Sequence, residues 1–588
     1  MFTRGCWLLA ALAALAPALL AANGQTPAPG QPAQTQKPSD EGIPVTDPVV
    51  VRACGSCHAL DDKQRMTRIS DRRATPENWE LTIRRMMSLN NVRLTPETAR
   101  AVIKSLSDTH GLAPDEARPI MFEAERRLVD FTYEGDKDTH MLCSRCHSIG
   151  RVLSERRTRD EWTRLIAMHR YYYPGIDGPS GGFRRGGPPP GGAAAAARGR
   201  AGDPSGRGAE EPQPMDKARD VLARNFPLVS AEWSAWSAAM HTPKLVGRWA
   251  IAGYQIGKGR VFGQLTIAGR AGVADGFTTD ARFTYSRTGE TVSRKSRAIV
   301  YAGFQWRGRS ADTPDDPGTW REVEFIERSG QQITGRWFTG AYDETGIDVT
   351  LRRVANDPIV TGTDVSALKT STSNQRVRIY GANFPATVQT ADVDLGQGVR
   401  VSRLVSRSPD MLTVDVDVSA AARVGPRDVS VGGSTISTPL VVYAKIDSVK
   451  VVPVAGMARL GGIRFPKRPE QFEARGVSYG SDGKAGTPDD LDLGPVNVRW
   501  SLEEYPATFR DDDVQFVGAI AQSGLFTPNV EGPNPKRSGN RNNVGDVWVV
   551  ATYNATTADG AIKPLKARAH LLVTVPLYLV WDSREVGR

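Results

Sequence analysis

Two five-residue stretches, CGSCH at residues 54–58 and CSRCH at residues 143–147, decide how this chain folds. Both have the C-x-x-C-H pattern by which c-type haem is attached. Two cysteines three positions apart can bond the two vinyl groups of one porphyrin, and the adjacent histidine then reaches the iron. The pattern predicts two covalent haems. The residues concerned are Cys54, Cys57 and His58 in the first stretch and Cys143, Cys146 and His147 in the second.

Zinc binding and dithiol redox chemistry are the other common uses of paired cysteines. A zinc site of four cysteines does not need a histidine after each pair. A thioredoxin-like dithiol needs a βαβ context, which this part of the sequence does not show. Two copies of the complete pattern therefore favour haem attachment.

The sequences after the two motifs repeat each other. A tryptophan follows each motif, Trp79 in the first copy and Trp162 in the second, and seven positions further on lie Met86 and His169. Seven positions are two turns of a predicted helix, so each of these residues shares a helix face with its tryptophan. We predict that Met86 and His169 are the sixth iron ligands and that each copy is a small helical cytochrome.

Other side chains compete for the sixth position. Met66 and Met87 are alternatives to Met86 at the first iron, and Met168 and His140 are alternatives to His169 at the second. A methionine on a helix is most often ordinary core filler, so the equivalence within the repeat is what favours Met86 and His169. The histidines without such a context, expected to be structural or exposed, are His110, His241 and His570.

The predicted ligands differ in their effect on the reduction potential. Methionine ligation raises the potential relative to bis-histidine ligation. The His147/His169 haem is therefore predicted to have the lower potential and the His58/Met86 haem the higher. Electrons are expected to run from the second copy to the first.

Residues 1–22 have the layout of a secretory signal peptide, with Arg4, an apolar run at residues 7–20 and small residues at its end. The apolar run is short for a membrane span, so an uncleaved anchor is the less favoured alternative. The mature chain is expected to be exported. Cys6 precedes the apolar run and is expected to leave with the signal.

Helical signals extend over residues 43–242, after a polar leader at residues 23–42. Thr75 and Thr95 each precede a proline, as an N-cap residue precedes the first helical position, and Thr158 with Glu161 has the pattern of a capping box. The residues at 174–214 are rich in Gly, Pro, Ala and Arg and are predicted to form a disordered surface insertion.

After residue 242, apolar residues alternate in short runs separated by turn residues, which indicates antiparallel β structure. One such run is residues 297–306. The predicted fold is a multidomain chain, an N-terminal helical dihaem cytochrome c domain followed by about three antiparallel β-barrel or β-sandwich domains. The predicted domains are the cytochrome domain at 43–242, with haem units at 43–112 and 113–242, a β-barrel at 243–356, an Ig-like β-sandwich at 357–444 and a C-terminal β-sandwich at 445–588.

Composition and motif searches exclude several functions. Among 588 residues, 75 Lys and Arg against 65 Asp and Glu give a net charge of +10. The basic residues form no long run, so nucleic-acid binding has little support. No nucleophile elbow, zincin helix or phosphate-binding glycine loop occurs, which argues against a hydrolase or kinase site. The acidic loop at residues 482–490 fails the EF-hand spacing, so a plain turn is preferred to a calcium site.

The combination of two C-x-x-C-H units, a tryptophan-spaced Met/His pair and a β-rich remainder resembles the large (alpha) subunit of quinohaemoprotein amine dehydrogenase. The resemblance covers nearly the whole predicted mature chain. The long Gly/Pro-rich insertion departs from the family pattern. Three further stretches look like that family: GRW at 247–249, VRIYGANF at 377–384, and the segment from DG at 482–483 to WSLEEY at 500–505.

The resemblance implies a periplasmic heterotrimer. In that family the alpha subunit carries two haems, a β-propeller subunit contributes to the active-site region, and a small subunit carries the cysteine tryptophylquinone that oxidises primary amines to aldehydes and ammonia. Electrons pass from the quinone through the haems to azurin or a soluble cytochrome c. This chain would be the electron conduit, with no catalytic residue, stable membrane anchor or nucleic-acid partner of its own.

Two other functions stay open at this point. One is a stand-alone secreted dihaem cytochrome c whose β domains bind a surface, a polymer or another redox enzyme. The other is a dihaem peroxidase, which needs one iron with an open or displaceable site. The cysteine count bears on the amine chemistry: the haems use all four cysteines of the predicted mature chain, so no thiol remains to form a cysteine tryptophylquinone. The quinone is expected on a partner.

Overall fold

The computed structural model of the protein describes residues 41–121, 133–178, 212–310, 319–339, 346–505, 512–556 and 560–576. The predicted signal peptide, nearly all of the predicted leader and most of the predicted insertion lie outside these residues. In the part of the chain that is described, no helix is long and apolar enough to cross a membrane.

The N-terminal part of the chain, up to residue 242, is helical, as the sequence predicted. Thr75 and Thr95 cap their helices through the side-chain oxygen, and each helix begins with the proline that follows. Two strands that were not predicted interrupt this part, β1 (Arg72–Ala74) and β2 (Glu155–Arg157). The described helices are α1 Pro48–Cys54, α2 Pro76–Leu89, α3 Pro96–Thr109, α4 Pro114–Ala117, α5 Lys137–Cys143, α6 Gly150–Leu153, α7 Arg159–Tyr172, α8 Pro214–Asn225 and α9 Ala231–Ala238.

The capping box predicted at Thr158 forms only in part. The Thr158 hydroxyl accepts a hydrogen bond from the Glu161 backbone N–H (3.2 Å), which is the expected cap. The Thr158 N–H, however, donates to the Asp71 carbonyl of the first copy (3.1 Å). The Glu161 carboxylate pairs with Arg68 and Arg157. Contacts that include the first copy thus replace the second hydrogen bond of a capping box, in which the Thr158 N–H would donate to the Glu161 side chain.

Strands β1 and β2 pair antiparallel and join the two copies. Arg73 lies opposite Arg156 at the centre of this pairing. These two arginines are also equivalent in the repeat, because each lies six residues before the tryptophan of its copy. A residue that faces its own equivalent lies on a two-fold axis, so the copies are related by pseudo-two-fold symmetry. The Thr75 N–H accordingly donates to the Ser154 carbonyl (3.3 Å), which mirrors the bond from Thr158.

Glu116, in α4 at the start of the second copy, neutralises the arginines on this axis. The Arg73 guanidinium donates to its carboxylate at 2.6 and 2.9 Å, and Arg156 Nε lies 3.3 Å from it. The Ser230 hydroxyl also donates to it (2.9 Å). Burial would raise the pKa of Glu116, but Arg73 and Arg156 lower it to about 2. The carboxylate is therefore ionised at neutral pH, and the three side chains form a buried ion triad.

The next part of the chain is a closed eight-stranded antiparallel barrel, in which β10 pairs with β3 and closes the ring. Its interior includes Trp249, Trp306 and Trp337. The single strand predicted at 297–306 is wrong, because Ala302 and Gly303 have positive φ and the chain turns there into a hairpin. The strands are β3 Gly247–Gln255, β4 Gly259–Gly269, β5 Gly276–Tyr285, β6 Thr291–Tyr301, β7 Gln305–Ser310, β8 Trp320–Ile326, β9 Gln332–Thr339 and β10 Gly346–Val354.

A β-sandwich follows, made of two four-stranded sheets in the orders β11-β13-β16-β15 and β12-β18-β17-β14. Valine and leucine side chains from both sheets fill its core. One pair, β12 with β18, is parallel, although only antiparallel pairs were predicted. The strands are β11 Ile359–Thr363, β12 Ala367–Lys369, β13 Thr372–Ala382, β14 Val393–Asp394, β15 Val399–Arg407, β16 Met411–Val418, β17 Gly425–Val431 and β18 Ser434–Tyr443.

The C-terminal part contains three sheets, in the orders β19-β22-β23, β20-β28-β27-β24 and β21-β26-β25. It departs from the all-β prediction in a one-turn helix, α10 (Asp513–Phe516), and β20 pairs with β28 in parallel. The strands are β19 Ser448–Val452, β20 Ala455–Arg459, β21 Glu470–Gln471, β22 Glu473–Ser478, β23 Leu491–Pro495, β24 Arg499–Glu504, β25 Gly518–Ile520, β26 Leu525–Pro528, β27 Gly545–Thr556 and β28 Ile562–Thr574.

The helical part and the barrel share two hydrophobic cores. Ile299 and Tyr301 of the barrel are buried in the core of the first copy. Phe304 and Phe325 are buried in a core with Ile149 of the second copy. The outer wall of the barrel therefore completes both haem units. Ion pairs across the same boundary are Lys104–Asp275 and Arg307–Glu77.

We predict that Glu116→Ala destabilises the helical part by about 3–5 kcal/mol, because it leaves two buried guanidinium groups without a counter-charge. The measurement is thermal unfolding of the full chain, followed by helical circular dichroism and by calorimetry. The matched control is Glu97→Ala, which removes a 74% exposed partner of Arg100 and should leave the transition unchanged. An equal shift in both variants would contradict the role assigned to Glu116.

Candidate haem-binding site

In each copy, the first motif cysteine is the last residue of a seven-residue helix. Helix α1 ends at Cys54 and α5 ends at Cys143. An aspartate caps each helix: Asp47 accepts from the Val49 N–H, and Asp136 accepts from the Thr139 N–H. Sequence reasoning missed these caps, although an aspartate immediately before each helix was a readable signal. The two attachment sites are therefore built alike from local structure.

The second cysteine of each motif lies on the turn that follows the helix. After α1 the Gly55 N–H donates to the Val51 carbonyl (2.9 Å), and a Cβ at this position would lie 2.6 Å from that oxygen. The first cysteine of each pair is half-buried, whereas Cys57 and Cys146 are exposed. All four described thiols are free. Each pair thus presents one sulfur at the edge of a core and one on the surface, on the same side of a short turn.

Burial disfavours the thiolate form of the two half-buried thiols, Cys54 and Cys143. Burial, and then Cys57, raises the pKa of the Cys54 thiol. Burial raises the pKa of Cys143 to about 11. Zinc ligation and dithiol exchange both need an accessible thiolate. Among the described residues, no three His, Cys, Asp or Glu side chains are grouped so that they could hold a metal ion. Thioether attachment of haem to these sulfurs stays a prediction.

The motif histidines are held in the tautomer that a haem iron requires. His58 Nδ1 lies 2.9 Å from the Thr67 carbonyl, and His147 Nδ1 lies 2.8 Å from the Ser148 carbonyl. A carbonyl oxygen only accepts, so Nδ1 carries a proton in both rings, and in the neutral form of each ring Nε2 is the nitrogen with the lone pair. A neutral imidazole with its other nitrogen bonded to the backbone is the arrangement of a metal-ligating histidine.

Met86 and His169 occupy equivalent positions on two helices of equal length, α2 and α7. On α7 the buried side chains of Trp162 and Ile166 share a face with His169, and Trp79 and Ile83 share a face with Met86 on α2 in the same way. Both predicted ligands are half-buried.

His169 has the same protonation pattern as the motif histidines. Its Nδ1 lies 2.8 Å from the Leu165 carbonyl, so Nε2 carries the lone pair. His110 differs, because its Nε2 lies 3.2 Å from the Ile43 carbonyl and must carry the proton. His110 is fully buried, and burial lowers its pKa to about 4. It is therefore a structural histidine, as expected. Ligation by His169 stays a prediction.

The residues that compete for the sixth position are three methionines and one histidine. Met87 and Met168 are exposed, and Met66 is fully buried within the core of the first copy. His140 is different. Its Nε2 is buried and has no hydrogen-bond partner among the described residues, and its ring stands edge-on to Tyr133 with centroids 5.3 Å apart. His140 therefore stays an alternative to His169.

The remaining candidates lie far along the chain in the β domains or on the surface. His241 is exposed, and His570 Nε2 lies 3.2 Å from the Asp546 carboxylate in the C-terminal part. The acidic loop closes on itself, since Asp489 accepts from the Ser481 N–H and Asp490 accepts from the Gly486 N–H. The preference for a plain turn over a calcium site stays a prediction.

Comparisons with known proteins give one informative result. A comparison with curated protein sequences gives no match. Among solved structures, the chain is similar to a redesigned beta barrel (17% identity, 19% of this chain and 92% of that chain, TM-score 0.16). It is also similar to a designed fluorescence-activating beta barrel (16%, 18% and 93%, TM-score 0.15) and to human protocadherin-24 EC1-2 (13%, 37% and 98%, TM-score 0.15). These TM-scores support no statement about fold or function.

Family models, by contrast, match four successive parts of the chain. Residues 45–182 match "Quinohemoprotein amine dehydrogenase A, alpha subunit, haem binding". Residues 242–354, 360–444 and 449–586 match domains II, III and IV of the quinohemoprotein amine dehydrogenase alpha subunit. The matches follow the helical part, the barrel, the sandwich and the C-terminal sheets in order. The chain therefore belongs to the family of quinohemoprotein amine dehydrogenase alpha subunits, and is a haem-containing subunit of that oxidoreductase.

Proposed function

We propose that this chain is the dihaem electron-transfer subunit of a periplasmic amine dehydrogenase. It receives electrons from a cysteine tryptophylquinone on a small partner subunit, in a heterotrimer with a β-propeller subunit, and delivers them to azurin or a soluble cytochrome c. The observation that carries the proposal is the pair of equivalent helical units. Each brings together, next to a hydrophobic core, two thiols and a histidine whose Nδ1 lies against a backbone carbonyl.

The chain's own residues divide the work between attachment and ligation. Cys54 and Cys57 would hold one haem and Cys143 and Cys146 the other, through thioethers that keep each haem in place. His58 and His147 would ligate through Nε2, and the carbonyls behind them fix the ring orientation. The remaining ligands would be Met86 and His169. A c-type haem supplies a one-electron couple, which is what stepwise reoxidation of a quinone needs.

Ligand chemistry gives the direction of electron flow. A methionine thioether at the first iron raises its potential relative to a second iron with two imidazoles. The second unit is then the entry point and the first unit the exit. No cysteine of the predicted mature chain is left for a tryptophylquinone, so amine oxidation is assigned to the partner. Family membership favours this function over a stand-alone cytochrome or a dihaem peroxidase.

We predict two covalently bound haems in each mature chain, because each motif has its own pair of thiols and its own histidine. Intact mass after expression in a periplasm with haem attachment machinery should exceed the polypeptide mass by two haem increments. The matched variant Cys146→Ala should weaken attachment at one site only. Haem that acid acetone extracts from the unmodified chain would contradict the assignment.

We predict that His169→Met raises the reduction potential of one haem and leaves the other nearly unchanged, because methionine replaces imidazole at the second iron only. The measurement is a mediated redox titration followed in the visible spectrum. Met168→Leu is the control, since it changes the exposed neighbour of His169 and should move neither midpoint. If neither midpoint moves in His169→Met and low-spin bands persist, His169 is not the ligand, and Met168 and His140 are the next residues to test.

We predict that the purified chain is reduced by a chemical reductant but not by a primary amine alone. The carbonyl that the amine attacks lies on the partner, whereas this chain supplies only the irons. The test follows the haem α band under anaerobic conditions, first with the amine and the isolated chain and then after the propeller and quinone subunits are added. Prompt reduction without a partner would place the catalytic group in this chain and overturn the proposal.

A further inference from the structure

A continuous chain of contacts connects α2 and α7, the helices that carry the predicted sixth ligands. It crosses the pairing of β1 with β2, which is called the seam below. The Arg72 guanidinium lies over the Trp79 ring, 4.9 Å from its centroid, and bonds one oxygen of the Glu155 carboxylate at 2.5 Å. Arg157 bonds the other oxygen at 2.5 Å and lies 5.7 Å from the centroid of the Trp162 ring. Glu155 is thus the central member of a tryptophan–arginine–glutamate–arginine–tryptophan series.

The seam makes Glu155 necessary. Arg72 and Arg157 are direct cross-strand partners of β1 and β2, and like charges in that position repel each other. Each arginine residue is 8% exposed, and the Glu155 side chain is 15% exposed. Burial would raise the pKa of Glu155, but Arg157 and then Arg72 lower it to about 2. The carboxylate is therefore ionised, and it is the charge that makes two adjacent guanidinium groups tolerable.

The pseudo-symmetry of the copies is broken at this position. Glu155 lies seven residues before Trp162, and the residue seven before Trp79 is Arg72. The first copy thus has an arginine where the second has a glutamate. One carboxylate serves both copies, instead of one carboxylate in each.

Both ends of the series lead to a haem unit. Trp79 lies on α2, two turns before Met86, and is buried in the same hydrophobic core that Cys54 packs against. Trp162 lies on α7, two turns before His169. A buried charge acts over longer distances than an exposed one, because little solvent screens it. Glu155 therefore lies between the two helices that carry the predicted ligands Met86 and His169.

We propose that Glu155 is shared by the two haem units. Its negative charge lowers both reduction potentials together and preserves the difference between them. This inference rests on the proposed function, since it assumes two haems. A nearby negative charge favours the ferric state, which carries one more positive charge than the ferrous state. Removing it leaves Arg72 without its carboxylate partner and leaves Arg157 with Glu161 at 3.4 Å, so the seam gains one net positive charge, which favours reduction of both irons.

The test is a mediated redox titration of the full haem-loaded chain with the variant Glu155→Gln. Both midpoints should rise while their separation stays the same. The expected change in the ratio of reduced to oxidised haem, at a fixed potential, is on the order of tenfold, which corresponds to about 59 mV for a one-electron couple. The matched control is Glu97→Gln, an exposed carboxylate on α3, which should shift neither midpoint.

A second variant reverses the sign of the effect. Arg72→Gln keeps the Glu155–Arg157 pair but removes one positive charge, so both midpoints should fall. The double variant Arg72→Gln/Glu155→Gln has the same net charge as the natural chain and should return both midpoints towards their original values. A purely structural role would lower stability in all three variants without opposite shifts of potential.

The outcomes separate this inference from the proposed function. Two haems with unmoved midpoints in both single variants, or a shift of one haem only, would overturn the role of Glu155 and leave the electron-transfer proposal intact. A chain without two covalent haems would fail the mass measurement before any titration. Amine-dependent reduction of the isolated chain would overturn the proposed function, whatever the potentials of the variants are.

Discussion

Arg73 and Arg156 meet Glu116 at the axis that relates the two haem units, and the helical part of the protein depends on that contact. A pairing of three residues on each strand is too short to hold two units together by backbone hydrogen bonds alone. Buried guanidinium groups need a counter-charge, and Glu116 supplies it from the start of the second copy. Ser230, near the end of the second copy, bonds the same carboxylate. The pairing of β1 with β2 and both ends of the second copy therefore meet at the Glu116 side chain.

The fold class could be predicted because its signals are local. Helices α2 and α3 begin with a capping threonine and a proline, and the barrel strands alternate apolar and polar residues. The seam could not be predicted in this way. Strands β1 and β2 pair between segments about eighty residues apart, and three arginine-rich residues do not look like a strand until their partner is known. The hairpin at Ala302 was missed for a related reason, because its left-handed residue is not one that turns normally favour.

The residues of the candidate site also differ in whether their sequence signals are local. The C-x-x-C-H motif contains its cysteines and proximal histidine within five residues, so spacing alone carries the chemistry. The sixth position depends on which helix crosses the other side of the ring, and a repeat shows only equivalent positions, not contact with iron. The structure adds the tautomer of each histidine, which separates His169 from His110 but not from His140. Neighbouring backbone carbonyls, which are not visible in a sequence pattern, decide that property.

The shared cores of the barrel and the haem units have a consequence for how the protein is made. A chain is synthesised from its N-terminus, so both C-x-x-C-H segments are made before Tyr301 and Phe304. Until those aromatic side chains arrive, each haem unit lacks one wall of its hydrophobic interior. The two half-buried cysteines, Cys54 and Cys143, are therefore most accessible before the barrel has closed. The order of the elements along the chain thus suits the proposed function, in which these thiols would bond haem before the interior is complete.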